Sequence, residues 1–324
     1  MGTAARPVAV TRELLPAFLE YCQLHGAEHD DSYTGDADLR SIQDELGEEN
    51  PSVVLLSRDG AVRGAASAML SPRVCASGRA RFRILYCEEP DVENYRMLID
   101  ALASGGSGAG SGAGLRGKTV YLFVPEAAAA VRGILELLEF EVERISYGLK
   151  APNAYAAAPE LPEGFFLRAL RPGDDEQAWC DIVNGAFAHL AGHTHCLPET
   201  VAAATLAEDA MPGGQLMLWD RGRASGGHVG ASARAVPMGL VEVRRSVDEG
   251  EPVAQIGPIA VDKAVQGRGY GRLLLKSGMF AARQAGFDKS WLSVNGENER
   301  AISLYVSEGF VKVQAMVCYS RRID

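Results

Sequence analysis

The sequence predicts an α+β protein of two tandem domains, each a mixed central sheet flanked by helices. Its 324 residues exceed one typical domain, and 47% hydrophobic against 23% charged residues is an ordinary globular balance. Residues 151–164, APNAYAAAPELPEG, hold three prolines among small residues and no amphipathic period, which suits a connection between two folded units. On both sides of that connection the same order of elements repeats: two helices, three strands, helix, strand, helix, strand. The boundary is placed after residue 152, giving domains 1–152 and 153–324.

In the first domain, helices are expected near residues 11–25 and 36–46, followed by strands SVVLLS, VRGAASAML and ARFRILYC. A helix VENYRMLIDALA, a strand TVYLFVP, a helix AAAAVRGILELLEF and a strand EVERISYGL complete it. Between the first of those helices and the next strand lies SGGSGAGSGAG, residues 104–114, whose composition buries no core and reads as flexible coil. It does not read as a phosphate loop, because its glycines follow a helix and lead to a strand rather than opening a helix.

In the second domain, FFLRALRPGD reads as strand and turn, DEQAWCDIVNGAFAHL as a helix, and LPETVAAATLAEDAM as a second helix. QLMLWD, HVGASARAV and VAQIGPIAVD read as strands. A glycine-rich turn, a helix from Tyr270 to Ala285, the strand SWLSV, a helix from Glu299 to Ser307 and closing strands through VKVQAMVCYS follow.

Thirty-two basic against 42 acidic residues give a formal charge of −10 with no concentrated basic block, which argues against nucleic acid and anionic membrane as partners. No apolar run reaches the roughly 18–20 residues of a membrane span, and MGTAARPVAVTRELLP lacks the apolar centre of a secretion signal, so a cytoplasmic location is expected. The six cysteines are scattered without a CxxC pair and read as reduced thiols, mostly small core residues.

The segment most informative about chemistry is IGPIAVDKAVQGRGYGRLLL, where an apolar strand, Ile256 to Val261, runs through a short loop into a helix. Gln266, Gly269 and Gly271 give Q-x-x-G-x-G. Glycines there let the backbone approach a ligand, and the unpaired N–H groups of the first helical turn suit phosphate oxygens. A plain glycine-lined turn before a helix packing through Leu274, Gly278, Ala281 and Ala285 is the alternative. A Rossmann site fits less well, since Arg272 stands where its third glycine would be and the segment opens no βαβ unit.

A second segment, NGENERAISLYVSEGF, places Asn298, Ala301, Leu304, Tyr305, Gly309 and Phe310 in the pattern N-x-x-A-x-x-L-Y-x-x-x-G-F. With the first, it resembles the GCN5-related N-acetyltransferase (GNAT) superfamily. The resemblance is specific over about residues 253–311 and looser back to 164. In the first half it rests on element order alone.

The resemblance implies acetyl-CoA as acyl donor. The main chain of Ile259, Ala260 and Val261 would pair with the pantetheine arm, a backbone N–H there polarising the thioester carbonyl. Gln266, Gly267, Arg268, Gly269, Tyr270, Gly271 and Arg272 would wrap the pyrophosphate, the two arginines either adding charge or remaining solvated. Asn298 matches a position that contacts the cofactor arm and is equally a helix N-cap. Tyr305 matches the family tyrosine that protonates the departing CoA thiolate, with simple packing as the alternative.

The general base is where the sequence departs from the pattern, because Gln255 stands where many members carry glutamate and an amide takes no proton. His193 and His195, with His189 and Cys196 in AHLAGHTHC, fall between two helices where family members build the acceptor pocket. Zinc at this cluster ranks last for want of a paired-cysteine signature, so no metal is expected. Water or Glu242, in GLVEVRRS, are the other candidates to take the proton; a solvated surface carboxylate is the expected reading of Glu242, so the histidine and water routes are preferred to it. In the first domain YCEEPDVENYR puts Glu88, Glu89 and Asp91 where a pyrophosphate loop would be, so residues 1–152 are expected to be a degenerate copy without cofactor.

The resemblance thus implies an N-acetyltransferase acting by direct attack of a primary amine of a small molecule or peptide, catalysed by residues 153–324. Two such domains with one active copy also resemble mycothiol synthase, which acetylates a cysteinyl pseudodisaccharide, so that type of acceptor belongs among the candidates. A non-catalytic acyl-CoA-binding or regulatory protein is the alternative, motivated by Gln255.

Overall fold

The computed structural model describes residues 5–29, 50–70, 78–104, 114–190, 192–193, 195–222, 235–248 and 250–324. The helix expected at 36–46, most of the glycine-serine tract and Cys75 lie outside these residues. The first half runs β1 (Arg6–Ala9), α1 (Leu15–His29), β2 (Ser52–Leu56), β3 (Val62–Met69), β4 (Arg79–Cys87), α2 (Val92–Ala103), β5 (Thr119–Pro125), α3 (Ala129–Leu137) and β6 (Glu141–Pro152). The second runs β7 (Phe165–Ala169), α4 (Glu176–Phe187), α5 (Pro198–Leu206), β8 (Ala210–Asp220), β9 (Val236–Asp248), β10 (Glu251–Val261), a 3₁₀ turn (Lys263–Val265), α6 (Tyr270–Gln284), β11 (Lys289–Asn295), α7 (Glu299–Ser307) and β12 (Val311–Arg322).

Local chemistry explains the elements that sequence patterning found. Helix α2 begins where Asp91 Oδ1 accepts from the N–H groups of Glu93 (2.9 Å) and Asn94 (3.3 Å), and it buries Tyr95, Leu98, Ile99 and Leu102 at helical spacing. Strand β5 alternates half-buried and buried residues with the period of two. Helix α6 buries Leu274, Leu275, Gly278, Met279 and Ala282, so Ala282 takes the place expected for Ala285, which is exposed.

Patterning failed at four places. Strand β1 was not anticipated. Helix α5 stops at Leu206, and Ala210 already opens β8. The strand expected in HVGASARAV falls mostly outside the described residues, and the described strand is Val236–Asp248 instead, with Gly239–Val243 all buried. Such a continuous buried run, covered on both faces, carries no alternating signal. The closing segment is one strand, β12, rather than several.

The chain divides into two compact units, Met1–Ser146 with Ala315–Asp324, and Tyr147–Gln314. This differs from a boundary after residue 152, because the last ten residues belong with the first unit and the end of β6 with the second. In unit 1 the strands lie in the order β1-β2-β3-β4-β5-β12, and in unit 2 β7-β8-β9-β10-β11-β6. Strand β12 closes unit 1 by antiparallel pairing with β5, from Met316 opposite Pro125 to Arg322 opposite Thr119, and it brings Val317, Tyr319 and Ile323 into that unit's core. Each sheet is mixed, its one recorded parallel pairing being β4–β5 or β10–β11.

Helices cover both faces. In unit 2, α6 and α7 pack Leu274, Met279 and Tyr305 over Val241, Ile256 and Leu292. On the other face α4 and α5 pack Trp179, Ile182 and Val201 over Met217, Leu240 and Ala260. No helix among the described residues is long and apolar enough to cross a membrane.

The proline-rich connection starts from a fixed point. Asn153 is buried, donates Nδ2 to Phe287 O at 2.8 Å, accepts from Ser290 Oγ at 2.6 Å, and its backbone bonds Asp288 O and Arg283. Asn153→Ala strips the side-chain bonds and leaves buried partners unsatisfied, so unit 2 should lose about 2 kcal/mol. Denaturant titration checks this, an unchanged midpoint being the contrary result.

Candidate functional site

Strand β10 is held on both sides only near its start. It pairs in parallel with β11 at Ala254–Ser290 and Gln255–Trp291, and beyond those residues pairs only with β9. Its register with β9 shifts between Ile256 and Ile259, a bulge containing Gly257 and Pro258, before Ile259, Ala260 and Val261 resume opposite Val241, Leu240 and Gly239. The three expected pantetheine-binding residues therefore lie where β10 has left β11, with backbone groups on that side open to an extended ligand.

The same strand leads into the glycine loop. Asp262 caps the short 3₁₀ turn through Ala264 N (2.9 Å), and Gln266 Nε2 donates back to Val261 O at 3.1 Å. Gly269 sits at φ +87° as the N-cap of α6 and supplies no side-chain cap, so the first-turn N–H groups of Tyr270, Gly271 and Arg272 have no intrahelical acceptor. The two final glycines do different work. A methyl on Gly271 would stand 3.6 Å from Leu304 Cδ2, ordinary contact, whereas Gly269 is required by its left-handed backbone.

Of the two loop arginines, only Arg272 departs from the expectation. Arg272 is committed to Glu308, which is also bonded by Tyr155 Oη and has Lys276 Nζ at 3.6 Å. Arg268 is exposed. Arg300, not singled out from sequence, has Nη2 3.5 Å from where a Gly267 Cβ would stand, so it borders the loop. Its position two residues past the Asn298 cap is the signal that could have found it.

On α7, Asn298 Oδ1 accepts from Ala301 N at 3.1 Å, which is the N-cap role. Tyr305 packs with Leu274, Phe310 and the half-buried Ile259 and Val261. Its hydroxyl has no hydrogen-bond partner among the described residues, and burial pushes its pKa up to about 12. Such a phenol stays protonated at neutral pH and keeps its proton to give.

The base candidates lie on the opposite face of the sheet. Glu242 is buried, 9% exposed, which corrects its expected place on a solvated surface. The cause is packing by α5 and β8: Thr205 Oγ1 donates to Gln215 Oε1 (2.9 Å), and Gln215 Nε2 donates to Glu242 Oε1 (3.3 Å). Arg244 Nη1 bonds the same oxygen at 3.2 Å while its Nε holds Asp209 at 2.7 Å. Burial raises the Glu242 pKa more than Arg244 lowers it. Glu242 lines a cavity of about 300 Å³ with Leu170, Thr205, Glu208, Gln215 and Arg245.

The histidines are organised by Asn184 on α4, whose role sequence reading missed. Its Oδ1 lies 3.3 Å from His193 Nε2 and accepts from Cys196 N (2.7 Å), and its Nδ2 lies 3.3 Å from His195 Nε2 and donates to Cys196 O (3.0 Å). Burial and the neighbouring His195 hold the His193 pKa below its ordinary value. His189 is exposed. No group of three or more His, Cys, Asp or Glu among the described residues is placed to hold a metal.

Residues 193–310 match the Acetyltransferase (GNAT) family. This segment is therefore similar to GNAT acetyltransferases. The mycothiol acetyltransferase of Geodermatophilus obscurus is 30% identical over 162 residues, 50% of this chain and 49% of that protein. Its counterpart from Sanguibacter keddieii is 31% identical over 173 residues, 53% of this chain and 51% of that protein. The chain thus spans about half the length of the curated relatives it matches. A GCN5-related N-acetyltransferase from Sphaerobacter thermophilus superposes with a TM-score of 0.66 at 19% identity, covering 98% of this chain and 95% of that one. A tandem GNAT protein from the clavulanic acid biosynthesis pathway gives 0.66 at 12% identity over 98% of each chain. At such identities the likeness shows the GNAT fold, α+β with a mixed sheet flanked by helices.

Glu308 ties α6 and α7 to Tyr155, and its side chain is 5% exposed. Burial would raise its pKa, but the bonds from Tyr155 and Arg272 and the charge of Lys276 outweigh burial and lower it. A carboxylate depressed on folding adds stability above its unfolded pKa, about 4.3, and loses it as pH falls through the folded value. Glu308→Gln should therefore be less stable than the native chain at neutral pH, and the difference should vanish in acid. Equal stability of the two proteins at pH 7 would contradict this.

Proposed function

We propose that unit 2 binds acetyl-CoA and transfers the acetyl group directly to a primary amine of a small molecule or peptide, and that unit 1 is a degenerate tandem copy of the same fold. The observation that carries this reading is the coincidence, on one strand, of the departure of β10 from β11 with a glycine loop and an uncapped helix N-terminus. An extended arm lies along Ile259–Val261 and its pyrophosphate meets residues 266–272, with Arg268 and Arg300 at the loop. In unit 1 the corresponding helix N-terminus is already filled by Asp91, whose carboxylate takes the N–H groups that a phosphate would need.

In the proposed step the amine attacks the thioester carbonyl carbon, a backbone N–H of the 259–261 segment stabilises the oxyanion, and Tyr305 protonates the departing thiolate. Glu242 is the stronger candidate for base than His193 or His195. It faces a cavity able to admit an acceptor, lies opposite the β10 bulge, and its raised pKa makes it a better proton acceptor than an exposed carboxylate. The relatives named mycothiol acetyltransferase put that type of acceptor first in a screen of amines.

Calorimetry should find one acetyl-CoA site per chain, and Gly271→Val should weaken it while leaving the fold intact. Two equivalent sites, or none, would overturn the reading. In an assay of CoA release, Tyr305→Phe should lower kcat with little change in acetyl-CoA affinity. Glu242→Gln should cost about 10²-fold or more, with His193→Ala and His195→Ala near native activity. The reverse pattern would move the base to the histidine loop, and CoA binding without release for any amine would make the protein a binder.

A further inference from the structure

Helix α4 and the loop that follows it hold two sulfurs against each other. Cys180 Sγ and Cys196 Sγ are 3.2 Å apart, both as free thiols. Cys180 and Asn184 are one turn apart on α4, and both reach Cys196: Asn184 clamps its backbone N–H and C=O, and Cys180 meets its sulfur. The clamp holds the backbone of Cys196, and the sulfurs would have to close by about 1 Å to reach the roughly 2.05 Å of a disulfide.

We propose that Cys180 and Cys196 are a redox-active pair that passes reversibly between dithiol and intramolecular disulfide, with a low-molecular-weight disulfide as oxidant. Cys196 is half-buried and Cys180 is buried, so an incoming R–S–S–R meets Cys196 first. The Cys196 thiolate attacks one sulfur of the reagent, forms Cys196–S–S–R and expels RS⁻, which takes up the proton Cys196 gave. Cys180 then gives up its proton and attacks Cys196 Sγ, expelling a second RS⁻ that becomes RSH. The sum is two protein thiols and R–S–S–R converted to one protein disulfide and two RSH, two electrons passing to the reagent.

Ionisation fits this order. Burial, then the hydrogen bond from Cys196 and nearby negative charges, push Cys180 up to about 12, which removes it as the entry thiol. Once Cys196 is in a mixed disulfide, the thiol hydrogen bond between the two is gone. The closed bond fastens the chain from 181 to 195, with His193 and His195, to α4. This inference does not depend on the proposed activity, since its readout is covalent.

The full chain is treated with excess bis(2-hydroxyethyl) disulfide, freed of reagent, alkylated, and mapped by peptide mass. The expected result is loss of alkylation at Cys180 and Cys196, two of the chain's six cysteines. A peptide pair joined between them should appear, with no retained reagent, and excess dithiothreitol should reverse the change. In Cys180→Ser, Cys196 should instead keep one reagent adduct, and in Cys196→Ser, Cys180 should stay free. Alkylation of both residues in the native chain after treatment, or a persistent adduct on its Cys196, overturns the proposal. The native-chain measurement decides whether or not the variants fold.

Discussion

Past Gln255, strand β10 has given up β11 and pairs with β9 alone. The bulge between Ile256 and Ile259 sets where this happens. Gly278 then lets α6 lie close, since a methyl there would stand 3.0 Å from Val241 Cγ2 and 3.4 Å from Ile256 Cγ2. Close seating of the helix brings its uncapped first turn to the end of the same strand. Tyr305 on α7 belongs to the hydrophobic cluster against which Ile259 and Val261 pack.

Among the described residues unit 1 has the same strand order, and it takes another course at the turn after its β4. Its β4 also pairs with β5 over a short parallel stretch, Arg79–Arg81 with Thr119–Tyr121. The helix that follows is capped by its own aspartate, and Glu88 is engaged with Arg63 at 3.0 Å. The two units thus hold two electrostatic solutions for a helix N-terminus: an internal carboxylate in one, and exposed N–H groups in the other.

Features built from neighbouring residues were legible in the sequence. The glycine loop, the Asn298 cap and the span of α2 each depend on chemistry within a few positions, so their patterns survive reading along the chain. Features built from distant residues were not. Glu242 appears solvated until Thr205 and Gln215 are seen to cover it, and Arg272 appears available for phosphate until Glu308, 36 positions away, is seen to hold it. Strand β9 failed for a different reason, because burial on both faces erases the alternation by which strands are recognised. The partner of β12 was beyond reach, since strand pairing across the length of the chain leaves no local mark.

That pairing has a consequence for biosynthesis. As the chain leaves the ribosome, β5 emerges with one edge bare, and the strand that covers this edge follows the whole of Tyr147–Gln314 in the chain. Unit 1 therefore cannot close its sheet during its own translation, and its exposed edge must wait while the whole of unit 2 is synthesised. Of the two units, the one whose synthesis starts earlier closes later.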